Sequence, residues 1–331
     1  MNSQLNSAVR APPIWRNPVG EGANLGITQA ARIDFATRGG RINADFIDNS
    51  AGVDCSDNEV NIKIALNAVM AEGKLKETAR NKLLSSMTSD VAEIVLNNNR
   101  LQALSLSIAE MGKHQSLPSY ARLIEQFEEQ GQLNRAVEGL ADNEELMRRA
   151  QEKRGLTRPE LAVLISTAKL VLQAAIENSD LSDDPALNSE LCAAFPSAIQ
   201  KKYPKSVLTH QLRREIIATK LANRMVNKMG LIHPFELAEE EGSSLGEVAR
   251  AFVMTERLFE AQLVWEKLKE ALIPEEVRLL LYDRIAYILR SHMADLMRIG
   301  LTDEPIDDIV KTLSPGIKKR IGTGWNWNFE Y

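Results

Sequence analysis

The sequence predicts a mainly α-helical protein, in which a large helical C-terminal region follows a short α/β segment. From residue 56 onward, apolar side chains recur every three or four residues, with capping residues before each run and glycine or proline after it. Residues 19–56 differ, because there a short apolar lead meets a glycine-containing loop, a helix, a second loop and the start of another helix. These two patterns divide the chain into two unlike parts.

The helical part carries clear start signals. Capping boxes at Thr157 and at Ser244 each predict the start of a helix. Apolar spacing predicts one long helix from Ser206 to Met229 with Leu208 facing inward, and a later apolar stripe that includes Leu272.

The α/β segment follows an irregular stretch, residues 1–18, that prolines interrupt. Its first loop is the stretch GEGAN (residues 20–24), and its first helix begins after Thr28 and ends at the paired glycines 39 and 40. Residues 48–53 form the second loop, and a capping box from Ser56 to Glu59 predicts the start of the next helix at Ser56. Only Val19 remains of a strand before the first loop. No other convincing strand is available to pair with it, so no sheet is expected here.

The loops carry residue types that suit a ligand. Glycine lets the backbone approach a bound molecule that a Cβ atom would push away. The side chains of Asn24 and Asn49 can both donate and accept hydrogen bonds, as a carboxamide or a ribose hydroxyl requires. In the alternative interpretation, these glycines serve only the turns and helix ends.

Four stretches in order resemble one family. Residues 21–24 (EGAN) resemble the E-G-A-N element of the glutamate dehydrogenase superfamily, and residues 49–53 (NSAGV) are similar to its N-A-G-G-V element. The longer stretch 47–64, which includes that second element, is similar to the branch of very large bacterial NAD-specific glutamate dehydrogenases. Residues 156–164 and 210–219 are similar to the same branch. The resemblance covers residue 19 to at least residue 219.

The resemblance implies oxidative deamination of L-glutamate to 2-oxoglutarate and ammonia, with NAD as the cofactor, in an intact parent protein. It implies that Asn24 and Asn49 bind the cofactor, and that Val53 and Ser56 line the pocket for the glutamate side chain. Two features depart from the family pattern. Ser50-Ala51 stands where the family has Ala-Gly, and the Ser56 hydroxyl is also expected to cap a helix.

The chain lacks other parts that the family's reaction needs. It has no G-x-G-x-x-G loop, and the family's catalytic lysine and aspartate have no counterpart, so we predict no catalytic residue. We expect residues 1–18 to be irregular, 19–72 to be the remnant of an α/β nucleotide-binding domain, and 73–331 to be an all-helical domain. On this hypothesis the chain is the C-terminal portion of a glutamate dehydrogenase and is inactive alone. The competing hypothesis is a non-catalytic helical module with a structural or regulatory role in assembly.

Composition and charge limit the other partners and the location. The formal net charge of −5 argues against generic nucleic-acid binding. No run approaches about 18 uninterrupted apolar residues, which argues against a membrane span. The first residues lack the apolar stretch of an export signal, and the two cysteines, Cys55 and Cys192, form no disulfide framework, so we expect a cytoplasmic protein. The parent is expected to be a homo-oligomer.

Some helical residues invite a functional interpretation. The four histidines are scattered without a second ligand at helical spacing, so no metal site is predicted. His292 lies on an apolar stripe with Ile285 and Ile299 and is interpreted as a core residue, as is Trp265. A basic helix face is interpreted as solvated or interdomain rather than as an anion site; it comprises Arg213, Lys220, Arg224 and Lys228. Trp325 and Trp327 belong to a terminal segment that either docks or frays.

Overall fold

The computed structural model describes residues 18–22, 26–302 and 304–321. It confirms a mainly helical fold, and two short strands are the only sheet in these ranges. The N-terminal elements are β1 (Pro18–Val19), α1 (Gln29–Thr37), β2 (Arg41–Ile42), α2 (Asp45–Asp48) and α3 (Ser50–Ala71).

The remaining described elements are helices. They are α4 (Glu77–Ser86), α5 (Thr88–Met111), α6 (Leu117–Glu129), α7 (Arg135–Glu138), α8 (Asn143–Gln151), α9 (Arg158–Glu177), α10 (Asn188–Ala193), α11 (Ser197–Lys202), α12 (Pro204–Leu208), α13 (Arg213–Met229), α14 (His233–Glu241), α15 (Leu245–Leu258), α16 (Ala261–Glu270), α17 (Glu275–Arg298) and α18 (Ile306–Ile321). Short 3₁₀ turns span Lys113–Ser116, Asp180–Asp183 and Pro185–Leu187.

The two strands pair in parallel, with Pro18 opposite Arg41 and Val19 opposite Ile42. The expectation that the first strand has no neighbour is therefore wrong. Helix α1 provides the crossover between the strands, and Thr28 caps it by accepting a hydrogen bond from the backbone of Ala31, as predicted. A strand of two residues is too short to show an alternating pattern, which is why the sequence did not reveal β2.

Helix α3 begins at Ser50 and not at Ser56, so the predicted capping box is wrong. The Ser56 hydroxyl lies within the helix and donates to the backbone oxygen of Gly52, at 3.4 Å. Glu59 pairs with Lys63 one turn later instead of reaching back to Ser56. The chain passes from α2 to α3 through Asn49 alone, so the loop predicted at residues 48–53 is mostly helical.

The main core lies among α9, α13, α15 and α17, where apolar faces predicted from the sequence are buried. The capping box that opens α9 is confirmed, since Thr157 and Glu160 bond reciprocally. The carboxylate of Glu160 is fully buried and also accepts from Arg149, with both distances 2.9 Å. In α9 the fully buried side chains include Leu161, Leu164, Ala168 and Leu172.

The long helix predicted from Ser206 to Met229 is interrupted between Leu208 and Arg213. His210 explains the break: its Nδ1 accepts from the backbone N–H of Leu212 at 3.0 Å, and its Nε2 donates to the backbone oxygen of Asn61 at 3.0 Å. Burial lowers the pKa of His210, which keeps the ring neutral in this tautomer. Leu208, predicted to face inward, is exposed.

Two further predictions of burial have opposite outcomes. Trp265 is a core residue, as predicted. His292 is not, because its side chain is more than a third exposed and stacks on Phe259 with ring centres 4.2 Å apart, while Ile299 beside it is exposed. Leu272, expected on an apolar stripe, is also fully exposed. Trp325 and Trp327 lie outside the described residues.

One helix among the described residues, α9, is long and apolar enough to cross a membrane by length and composition. Its most apolar window is 61% buried within the protein, as in the central helix of a folded core. Length and composition of a single buried helix are weak evidence for a membrane span.

Candidate functional site

A cavity of about 1120 Å³ lies between the N-terminal elements and the helical region. Its walls come from α2 and the first turn of α3 on one side, and from α5, α9, α13, α16 and α17 on the others. Two of the four predicted site residues, Asn49 and Val53, line it. Ser56 lies one turn beyond Val53 and is exposed, while Asn24 falls outside the described residues.

The buried carboxylate of Glu21, in the first predicted loop, bonds to the chain on the far side of that loop. Glu21 is 5% exposed, and its side chain accepts from the backbone N–H of Ile27 at 2.9 Å. The guanidinium of Arg32 donates to the same carboxylate at 2.7 and 2.8 Å, and also lies 3.2 Å from Asp45 at the start of α2. One buried cation therefore joins the first loop, α1 and α2.

The backbone of the first loop also bonds to the second. The N–H of Glu21 donates to Asp48 Oδ2 at 2.9 Å, and Asp48 directly precedes Asn49. The first loop follows the carboxyl end of β1, and the short connection to α2 follows the carboxyl end of β2. In open α/β sheets, ligands bind at these strand ends. The contact places Glu21, the first residue of one family motif, beside Asp48, which precedes the other motif, although 27 residues separate the bonded pair.

Asn49 stands at the N-terminal end of α3 with its side chain against Gly52. A Cβ atom on Gly52 would lie 3.1 Å from Asn49 Oδ1, which is closer than an ordinary contact. Glycine at position 52 thus leaves room for the Asn49 amide in the orientation that the structure shows.

Helix α5 forms hydrogen bonds with the end of α2 and the start of α3. Asn99 donates from one amide nitrogen to Ile47 O at 3.0 Å and to Ser50 Oγ at 2.9 Å, and Asn98 donates to Asp54 Oδ2 at 2.7 Å. The departure from the family pattern at Ser50 is therefore accounted for, because its hydroxyl is an acceptor for α5. The family motifs do not include these residues; the signal in the sequence is the run of three asparagines at 97–99 within an amphipathic helix.

Helix α13 contributes the polar wall opposite. Lys220, Asn223, Arg224, Asn227 and Lys228 all line the cavity. Arg224 pairs with Glu190 and, at 3.0 Å, with Glu256. The four cations of the basic face, Arg213 included, are half-buried, so the face is only partly solvated.

Burial also changes the ionisation of this wall. It lowers the pKa of Lys228 to about 8, and the ammonium group lies 5.0 and 5.1 Å from the ring centres of Trp265 and Tyr282. Burial lowers the pKa of Lys220 as well, although Asp54 and Asp57 of α3 oppose that shift. Burial raises the pKa of Glu256 to about 7. Lys220 thus faces the acidic side of α3 across the cavity, as the interdomain interpretation requires.

Among the residues that the structure describes, no group of histidine, cysteine or acidic side chains could hold a metal ion. Cys55 is exposed and Cys192 is half-buried, and both are free thiols.

Comparison with known proteins finds two family models that match this chain. Residues 153–321, just over half of the chain, match the family described as glutamate dehydrogenase, C-terminal. Residues 4–109 match the family described as bacterial NAD-glutamate dehydrogenase, catalytic domain. The chain belongs to the glutamate dehydrogenase family, whose C-terminal region it matches. The motifs at residues 21–24 and 49–53 lie within the catalytic-domain match.

Curated relatives are similar over most of this chain. The NAD-specific glutamate dehydrogenase of Halomonas elongata is 42% identical over 85% of it, and that of Pseudomonas aeruginosa is 41% identical over 85%. The NAD-specific glutamate dehydrogenase of Mycobacterium tuberculosis is 35% identical over 93%. The chain spans only 17–19% of the length of these relatives. The similarity therefore concerns one part of much longer proteins.

Proposed function

We propose that this chain forms one side of the active site of an NAD-dependent enzyme that oxidises L-glutamate to 2-oxoglutarate and ammonia. The observation that carries the proposal is the bond from the Glu21 backbone to Asp48, which joins the first loop, after β1, to the end of α2 next to Asn49. The names of the relatives support the reaction and the cofactor.

In this proposal the residues take the roles that the family resemblance implies. The amides of Asn24 and Asn49 bind the nicotinamide portion of NAD, which accepts the hydride when it is bound. Val53 and Ser56 share one face of α3, and Val53 is 66% exposed, which leaves it available to contact the glutamate side chain. The described side chains around Asn49 orient ligands and exclude water, while the general acid and base come from the rest of the parent protein.

The proposed setting is a homo-oligomeric parent in the cytoplasm, without nucleic-acid or membrane partners. The net charge of −5 and the free thiols support this setting. An assembly role for the helical region is a second candidate function, favoured by the exposed apolar residues Leu272, Leu280 and Tyr287 on and before α17. A measurement of mass in solution, with and without charged substitutions at these three positions, tests that role.

The role of Asn49 is tested by Asn49→Ala in the full-length dehydrogenase. We expect the kcat/KM for NAD-dependent glutamate oxidation to fall by about tenfold or more, because a lost hydrogen bond at a reacting centre is worth at least 1.4 kcal/mol. Asn81→Ala, on the exposed surface of α4, is the matched control and should change nothing. Unchanged kinetics in Asn49→Ala would show that the side chain serves only the turn.

The 331-residue chain by itself should bind NAD weakly and should not oxidise glutamate. It has no counterpart of the family's phosphate-binding loop or catalytic lysine. Calorimetric titration of this chain with NAD tests the point, and micromolar affinity would contradict it.

A further inference from the structure

Arg158, the first residue of α9, connects the helical region to the second loop. Its side chain is 15% exposed, and Nε donates to Asn43 Oδ1 at 2.7 Å. The other end of the guanidinium contacts α5, where it lies 3.0 Å from Glu110 Oε2 and 3.2 Å from Ser107 Oγ. Arg158 therefore joins three elements: α9, α5 and the connection between β2 and α2.

Asn43 links Arg158 to Asp48, which in turn bonds to the backbone of Glu21. Its carbonyl oxygen accepts from Arg158, while its amide nitrogen donates to Asp48 Oδ1 at 2.7 Å. The second oxygen of Asp48 accepts from the Glu21 backbone at 2.9 Å. Because a guanidinium only donates and a carboxylate only accepts, the position between them requires a side chain that does both. Asparagine does so, whereas aspartate and leucine do not.

A second contact runs alongside this chain of bonds. Gln29 of α1 donates to the backbone oxygen of Pro159, the residue after Arg158, at 3.1 Å. The start of α9 is thus bonded to α1 as well as to the connection between β2 and α2. Movement of α9 relative to the sheet would break both contacts, and it would disturb the loops that they support.

We propose that Arg158 is a positioning residue for the cofactor site, and that it sets the separation of the two motif loops through Asn43 and Asp48. The helical region then has a direct part in cofactor binding without supplying a residue that reacts. The kinetic part of this inference rests on the proposed function. The alternative is a purely structural role, in which Arg158 only ties α9 to α5 through Glu110.

The decisive variant is Asn43→Asp, which retains an acceptor for Arg158 but places a second carboxylate against Asp48. In the full-length enzyme we expect the KM for NAD to rise about tenfold while kcat changes less than about threefold, because saturating cofactor restores the loop separation. Arg158→Lys should raise the KM in the same way, since a single ammonium does not reproduce the bonds to Asn43 and α5 together.

Two controls separate positioning from structure. Glu110→Gln removes the ion pair between Arg158 and α5 but leaves the bond to Asn43, and it should leave the KM for NAD unchanged. Arg154→Lys alters a more exposed ion pair with Glu152 nearby and should also have no effect. An unchanged KM in Asn43→Asp would overturn the proposal, and so would an equal rise in Glu110→Gln.

Hydrogen exchange in the 331-residue chain tests the same contacts without any assumption about the reaction. Asn43→Asp should speed exchange in peptides that cover residues 18–22 and 43–50 by about tenfold or more, while peptides from α15 keep their rates. Unchanged exchange in the loops would overturn the inference. If the wild-type full-length protein fails to oxidise glutamate but the loops respond to Asn43→Asp, the proposed function fails and the positioning contact stands.

Discussion

The loops around Asn49 and the core around α9 are held together by different forces. The N-terminal elements bury apolar side chains such as Ile47, and they also depend on ion pairs and amide contacts, chiefly the buried triad of Glu21, Arg32 and Asp45. Helix α9 instead buries a continuous apolar face from Leu161 to Ile176. Polar contacts specify direction and distance but contribute little net free energy, whereas buried apolar area contributes stability without fixing geometry. The part of the molecule that carries the proposed cofactor site adds the first kind of contact.

This difference predicts the largest loss of stability in the apolar core. Leu164 is fully buried, whereas Leu170 on the same helix is 63% exposed. Leu164→Ala should lower the free energy of unfolding by about 2–5 kcal/mol, because it removes buried methyl groups and leaves a cavity. Leu170→Ala should change it by less than about 0.5 kcal/mol. Chemical denaturation of both variants measures the difference, and equal losses would contradict the placement of α9 at the centre.

The N-terminal elements should respond to the loss of a charge instead. Arg32→Met leaves the carboxylates of Glu21 and Asp45 buried without their cation, which costs about 3 kcal/mol. Arg38→Met removes an exposed ion pair with Asp34 on the same helix and should cost under about 1 kcal/mol. Hydrogen exchange should show opening confined to residues 18–48 in Arg32→Met. Faster exchange throughout α9 and α13 would mean that the two regions unfold as one.

A third variant should stabilise the protein, because it removes a polar atom from the apolar region. The Nζ atom of Lys169 is buried and has no hydrogen-bond partner among the described residues, and burial lowers its pKa from 10.5 to about 7. Lys169→Met should therefore raise the free energy of unfolding at pH 7 by about 1–3 kcal/mol. The exposed Lys202, changed to Met, is the control.

The pH dependence of Lys169 has a definite sign. The unfolded chain keeps this lysine protonated up to its ordinary pKa of 10.5, whereas the folded protein loses the proton near pH 7. Folding then releases a proton between these two values, so the wild-type contribution to stability rises as the pH increases through that window. Lys169→Met should flatten this rise in denaturation experiments at several pH values. A parallel shift at every pH would show that burial does not lower the pKa of Lys169.

The sequence predicts the apolar region better than the polar one for a physical reason. The capping boxes at Thr157 and Ser244 and the apolar spacing of α9 are local signals, and all of them are confirmed. The break at His210 was missed because it depends on a bond to Asn61, 149 residues away. Local capping rules also failed at Ser56, where helix α3 had already begun six residues earlier.

The candidate site follows the same division. Asn49 and Val53 were predicted from the resemblance and line the cavity, while the roles of Asn24, Asn49, Val53 and Ser56 stay predictions. The contacts of Asn98, Asn99 and Arg158 join residues 44 to 115 positions apart, which no local pattern encodes. The face of α13 was identified as basic, but its burial depends on how α3, α10 and α16 pack around it.

Removal of the N-terminal elements tests the boundary that we propose between residues 72 and 73. A cut at residue 56 would split α3, whereas a cut after Glu72 removes whole elements. Helix α5 remains, and it belongs to the core because Leu106 is fully buried and Ser105 Oγ bonds to Val226 O of α13.

The chain 73–331 should therefore still fold cooperatively, with a melting temperature below that of the complete chain, because α5 loses its apolar packing against Ile62 and Leu66 of α3. The chain 113–331, which lacks α5 as well, exposes the core faces of α9 and α13 and should melt without cooperativity. Calorimetry of the two chains decides the point. If 73–331 is itself insoluble or melts broadly, the polar contacts of the loops are part of the helical core, and the boundary is wrong.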